Sequence, residues 1–215
     1  SSTTNTGIFL DSAVEGVKYR TSSGLEGYTN AKGEYEYKDG DTVEFLIGDV
    51  SLGSTTASSM LTTDNFPFPI QVAQFLQTLD NDGIPDNGIQ ISQELHTSSL
   101  FQKATIKADD ASNFAKSLDI KDFDSSSSNQ LFINDLTLQT SMADREIVSE
   151  ADAFEHKQKS EKLRRIKENN PEFYSYIDGT FNTDTQLPSD SNIHSMLASR
   201  LAYYFYSKVY EPELD

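Results

Sequence analysis

Apolar and polar residues alternate along three short stretches near the start of the chain: Val17–Thr21, Glu34–Tyr37 and Thr42–Ile47. In the second, Tyr35 and Tyr37 share a face, and in the third, Val43, Phe45 and Ile47 do. Turn signals close each stretch: Ser22-Ser23-Gly24, Asn30-Ala31-Lys32-Gly33, Lys38-Asp39-Gly40-Asp41 and Gly48-Asp49, with Val50–Leu52 as a last short strand before Gly53. Strands of this length with Gly, Asp and Asn between them predict a small antiparallel β-sandwich or barrel.

The period then changes. Val72, Phe75, Leu76 and Leu79 fall on one side of a 3.6-residue repeat, which predicts a helix over 70–79. Residues 54–68 before it, with Phe66-Pro67-Phe68-Pro69 at their end, read as a surface connection. A second helical stretch is expected over 98–118, where Phe114 and Leu118 lie one turn apart. The run Ser125-Ser126-Ser127-Ser128 is of low complexity and expected to be mobile. A third helix starts after Ser149, a capping residue followed by Glu150 and Asp152, and runs to Lys167, with Asn169-Asn170-Pro171 as its stop. A last helix is expected from about 190, carried by Ile193, Met196, Leu197, Leu201, Tyr204 and Phe205. Strands first and helices later make this an α+β chain, with a mainly helical C-terminal part. The divisions are a polar flexible linker at 1–7, a β-rich module with one helix at 8–91, and a helical part at 92–215 that is loop-rich at 119–147 and 170–190.

Composition narrows the function classes. With 17 basic and 34 acidic residues the net charge is −17, which disfavours nucleic acid and anionic membrane surfaces as partners. No apolar run approaches the length of a bilayer crossing. With Cys at 0 there is no disulfide framework, thiolate metal site or thiol nucleophile. The polar start, Ser1-Ser2-Thr3-Thr4-Asn5-Thr6, reads as a mature chain freed of a leader, with a place for a lipid anchor upstream of it, the alternative being a cytosolic chain cut at a flexible terminus.

The stretches Asp11–Tyr19, Gly27–Tyr37 and Gly40–Gly53, followed by Val72–Gly83 and Asn87–Ile91, resemble an N-terminal module of exported gammaproteobacterial surface lipoproteins and adhesins. Its first part is also similar to carboxypeptidase-regulatory-like β-sandwiches. The resemblance covers about residues 8–91 and implies export to the cell surface, outer membrane or periplasm and a non-enzymatic role. It brings no catalytic residues with it.

Four features carry candidate chemistry. Asp80-Asn81-Asp82-Gly83-Ile84-Pro85-Asp86-Asn87-Gly88 places the carboxylates of Asp80, Asp82 and Asp86 in one tight loop. Such a loop suits a calcium ion, and the alternative is an Asp/Asn/Gly turn capping the preceding helix. The histidines, His96, His156 and His194, lack metal-ligand spacing, and His156 reads as a helix-surface residue near Glu155 and Asp152. The basic stretch Lys157–Arg165 reads as a solvated face with Glu155–Lys159 and Glu161–Arg165 pairs. Among the aromatic residues of Leu201–Tyr210, Tyr203, Tyr206 and Tyr210 fall off the core stripe and suit a partner-binding surface. There is no G-x-S-x-G, S-x-x-K, H-E-x-x-H or phosphate loop.

These features together lead to the expectation of a non-catalytic exported binding or adhesion module that recognises a protein or glycan. The alternatives are an exported carboxylate-dependent hydrolase and a periplasmic accessory or chaperone protein.

Overall fold

Alternating side chains need two apolar faces to meet, and the N-terminal strands supply them. The computed structural model describes residues 3–105 and 113–169. Strands β1 (Thr4–Leu10), β2 (Val14–Glu15), β3 (Lys18–Thr21), β4 (Glu26–Tyr28), β5 (Glu34–Lys38), β6 (Thr42–Ile47), β7 (Val50–Thr56), β8 (Met60–Thr62) and β9 (Ile89–Gln90) form three sheets. Their orders are β5-β1-β8, β4-β3-β6-β7 and the two-stranded β2-β9. Helices α1 (Pro69–Leu79), α2 (Gln93–Thr97), α3 (Asn113–Ser117), α4 (Ser127–Gln139) and α5 (Glu150–Asn169) follow or intervene. The chain is α+β, with sheets first and helices later.

The two larger sheets face each other through aromatic residues. Phe9 of β1 meets Phe45 of β6 with ring centroids 4.6 Å apart, and Tyr35 of β5 meets the same Phe45 edge-on at 5.3 Å. Phe66 closes this core against both Phe9 and Phe45, so the segment expected as a surface connection is anchored inward by that ring and by the buried Leu61 of β8, which pairs with β1. The inward sets read from the alternation are buried: Tyr35, Tyr37, Val43, Phe45 and Ile47. Each turn signal matches a glycine at positive φ, among them Gly33 at 75° and Gly40 at 86°.

Helix α1 buries Val72, Phe75, Leu76 and Leu79 completely. Pro69 opens it at a position where a missing N–H costs nothing. Phe75 is the centre of a second aromatic cluster, with Phe101, Phe114 and Phe123 around it at 6.1, 5.5 and 5.0 Å. Phe132 of α4 completes the cluster at 5.0 Å from Phe114. Both clusters belong to one continuous apolar core.

Several expectations are corrected. Residues 4–7, read as linker, are the first half of β1. Their backbone pairs with β5, while the exposed polar side chains of Thr4 and Thr6 hide the strand from an apolar pattern. The stretch 98–118 is not one helix: single 3-10 turns at Ser99–Phe101 and Lys103–Thr105 precede the short α3, although Phe114 and Leu118 are buried as expected. Helix α4 crosses the region expected to be loop-rich, and Ser126 of the serine run caps it by accepting from the Asn129 N–H. The capping role read for Ser149 is present: its hydroxyl accepts from the Asp152 N–H at 3.1 Å.

Candidate functional site

A groove of about 310 Å³ lies where the edge strands of the two large sheets, β4 and β5, face each other. Thr6, Tyr19, Tyr28, Asn30, Glu34 and Glu36 line it. The turn between β4 and β5 is rigid for a local reason. Asn30 Oδ1 accepts from the N–H groups of Lys32 and Glu34 at 3.0 and 2.9 Å, and Gly33 at positive φ sits against the Phe9 carbonyl, where a Cβ would come within 2.4 Å. Asn30 Nδ2 donates in turn to Glu34 Oε1 at 3.2 Å. At Gly27 a Cβ would meet the Tyr19 hydroxyl at 2.8 Å, so glycine is what lets that phenol reach the groove. Burial pushes the Tyr19 phenol up from its usual range.

Tyr28 is the exposed aromatic residue of the groove, 48% accessible. Its ring stands edge-on to His96, with centroids 5.0 Å apart at 80°. His96 is held firmly: its Nδ1 accepts from the Gly48 N–H at 3.1 Å, and its Nε2 faces the Gly16 carbonyl at 2.6 Å. Those two bonds assign the neutral ring with its proton on Nε2. Burial accordingly lowers its pKa. The groove thus holds the Tyr19 hydroxyl with amide and carboxylate acceptors around it and no basic side chain among the described lining residues, and the Tyr28 ring, set on His96, stands at its border.

The acidic loop is arranged differently from the sequence expectation. Asp80 is fully buried, and its Oδ1 accepts from the Gln90 N–H at 2.9 Å. Asp82 accepts from the Ile84 N–H at 2.9 Å and the Asn87 side chain at 2.6 Å. Arg145, which sequence reasoning missed, donates to the carbonyls of Thr78, Asp80 and Asn81. Only its separation of more than sixty residues from the loop hid it. The guanidinium thus occupies backbone oxygens that a calcium loop would turn onto its ion, and it supplies positive charge at the C-terminal end of α1. The carboxyl of Asp86 lies outside the described side chains. Among the described residues no group of three or more acidic or histidine side chains converges. Arg145→Met should cost about 1–3 kcal/mol, because the part-buried carbonyls of Thr78 and Asp80 lose their donor. A melting temperature unchanged by the substitution would contradict this role.

His156 is not a surface residue. It is 4% exposed, and its Nε2 lies 3.2 Å from Ser12 Oγ and 3.8 Å from Asp11 Oδ1. Serine, histidine and aspartate together invite comparison with a nucleophilic triad. Ser12 and Asp11 do not make one with His156, because both approach the same ring nitrogen, whereas a triad needs them on opposite nitrogens. The adjoining cavity measures about 10 Å³, room for one water and no substrate. The basic stretch is likewise partly inward: Lys157 is buried and paired with Asp64, and Arg164 pairs with Glu168 at 3.3 Å. Tyr203, Tyr206 and Tyr210 lie outside the described residues. Among the described residues, no helix is long and apolar enough to cross a membrane.

Set against family models, curated proteins and solved structures, the chain matches none of them.

Proposed function

We propose that this chain is a non-catalytic binding module, and that the groove between β4 and β5 receives a glycan. The observation that carries the reading is the half-exposed ring of Tyr28, fixed on His96 at the border of a groove lined by Asn30, Glu34 and Tyr19. A pyranose presents an apolar face of C–H groups and a rim of hydroxyl donors, and the groove with its border offers an aromatic ring and a set of acceptors to match. A ligand held this way needs few conformational adjustments in the protein, since the turn and the ring are already held in place. Glu34 and Glu36 project from the same face of one strand. They cannot flank a glycosidic bond from two sides, as a hydrolase of the carboxylate-pair type requires. An exported setting goes with this role, at the cell surface, in the outer membrane or in the periplasm, where glycans are accessible and where the resemblance of residues 8–91 would place the chain.

The test is an oligosaccharide panel screened by amide chemical-shift perturbation. Binding should move the resonances of Gly27, Tyr28 and Asn30. Tyr28→Ala should weaken it at least about tenfold, the scale of a central aromatic contact, with no change in melting temperature. Three results would each count against the reading: no saccharide bound, shifts confined to another face, or cleavage of the sugar. Binding of an extended peptide at the same edges would redirect it to a protein partner.

A further inference from the structure

We infer that Asn87 is a modification site, a deamidation switch that Asp82 keeps unreacted and whose reaction releases β9 from β2. This goes beyond glycan binding and does not depend on it.

Asn87-Gly88 is the single Asn-Gly pair in the sequence. Glycine after asparagine hinders the reaction least, because no Cβ crowds the attacking nitrogen. Once a solvent base takes the proton of the Gly88 N–H, that nitrogen attacks Asn87 Cγ. The N–Cγ bond forms, the Cγ–Nδ2 bond breaks, and Nδ2 leaves as ammonia with a proton from water. The resulting five-membered imide takes up one water. Opening at Cγ gives an ordinary aspartate. Opening at the Asn87 carbonyl carbon gives an isoaspartate, whose main chain runs through Cβ and Cγ and is one carbon longer. Amide and water become carboxylate and ammonium, with no oxidant or reductant.

The folded chain holds both reacting groups. Asn87 Nδ2 donates to Asp82 Oδ2 at 2.6 Å, which fixes the side chain. Asp82 is fixed in turn, its Oδ1 accepting from the Ile84 N–H at 2.9 Å. The attacking nitrogen is committed too. In the 3-10 turn Pro85–Asn87 and its close, the Gly88 N–H donates to the Pro85 carbonyl at 3.1 Å, at a buried position. For Cγ to swing onto the nitrogen the Asp82 bond must break, and for a base to reach the N–H its carbonyl acceptor must leave. Asp82, Gly83 and Ile84 are exposed whereas Gly88 and Ile89 are buried, so the clamp opens from the Asp82 side.

The residues after Gly88 give the reaction a structural outcome. The Ile89 N–H donates to the Ala13 carbonyl at 3.0 Å and the Ile91 N–H to the Glu15 carbonyl at 2.9 Å, which sets β9 in register on β2. The Gln90 N–H donates to Asp80 Oδ1 at 2.9 Å, and the Gln90 carbonyl accepts from the Asn81 N–H at 2.8 Å. An extra main-chain carbon at residue 87 has no room between these bonds, since Gly88 is buried and Ile89 fully so. In either product a carboxylate stands where the amide donor stood, and Asp82 exchanges a hydrogen bond for a like charge. The short β2–β9 pair then parts, and the change does not reverse.

Incubation of the full chain at about pH 8, followed by peptide mapping, reads the reaction as a gain of about 1 Da at residue 87. The folded wild type should react at least about tenfold more slowly than the same chain unfolded in guanidinium chloride, a comparison that needs no variant. Asp82→Ala should raise the folded-state rate at least about tenfold while the Ile89 amide stays protected from hydrogen exchange. The isoaspartate form, separated by ion exchange, should lose protection at Ile89 and Ile91 while Phe45 of β6 keeps it. A folded wild type that reacts as fast as the unfolded chain would overturn the proposal. So would an Asp82→Ala rate equal to the wild type's, or one raised only where Ile89 protection is already lost. An isoaspartate form with Ile89 as protected as before would overturn the release of β9.

Discussion

Phe75→Ala is expected to remove about 3–5 kcal/mol of stability, the cost of a large buried ring replaced by a cavity. This is a large part of what holds an ordinary domain together. Phe75 is fully buried on α1, and three further rings pack on it. Those rings come from segments that make few regular hydrogen bonds of their own: the 3-10 turn Ser99–Phe101, the short α3, and Phe123 just after the 3-10 turn Ile120–Asp122. The ring at position 75 substitutes for the regular secondary structure this part of the chain lacks. Urea titration should show the loss as a lower midpoint at unchanged slope. A loss below about 1 kcal/mol would mean that the segments around residues 99–123 hold their places without it.

The second large effect concerns proton uptake at Asp80. Burial is the main cause that pushes this carboxyl up to about 7, helped by the neighbouring Asp82 and opposed by the Gln90 N–H bond and Arg145. Burial works to raise Asp82 too, but the bonds from Asn87 and Ile84 outweigh it and hold that carboxylate below its usual range. The unfolded chain releases the Asp80 proton near its ordinary 3.8, whereas the folded chain keeps it to about 7. Stability from this group is therefore complete below pH 3.8 and is lost as pH rises to about 7. Asp80→Asn fixes the neutral form. It should match the wild type at about pH 4 and exceed it by about 2–4 kcal/mol above neutrality, since a tenfold difference in proton affinity between folded and unfolded chain is worth about 1.4 kcal/mol. The measurement is the difference between the two stability–pH curves, which cancels the opposite dependence expected from His96. Two parallel curves would mean that Asp80 ionises as freely in the folded chain as in the unfolded one.

The sheets were legible where one face is apolar. Tyr35, Tyr37, Val43, Phe45 and Ile47 announce their side by alternation, and the intervening glycines announce the turns. The first helix was legible through Val72, Phe75, Leu76 and Leu79. Where polar residues face inward, the sequence pattern points the wrong way. Strand β1 begins with Thr4, Asn5 and Thr6, and the inner side of α5 carries His156 and Lys157, so both read as solvent-facing. Their partners lie far off in sequence. Asp11 and His156 are separated by 145 residues, and no local period encodes a contact of that kind. The groove was half legible: the Asn30–Gly33 turn was read from its residues, yet that it carries the chain from one sheet to the other and brings Tyr19, Tyr28 and Glu34 to one groove follows only from the way the two sheets face each other. The same holds for Arg145, whose role depends on the path of the chain after α4.

The position of β1 has one more consequence. It precedes both of its partners in sequence and is the central strand of its sheet, antiparallel to β5 through Thr4–Lys38 and parallel to β8 through Ile8–Met60. During synthesis its two flanks stay open until residues near 38 and then near 62 have emerged. This strand is made before both of its partners, and Ile8, Phe9 and Leu10 wait exposed until they arrive. The polar opening Thr4-Asn5-Thr6, which conceals the strand from pattern reading, keeps half of that waiting edge unattractive to other chains.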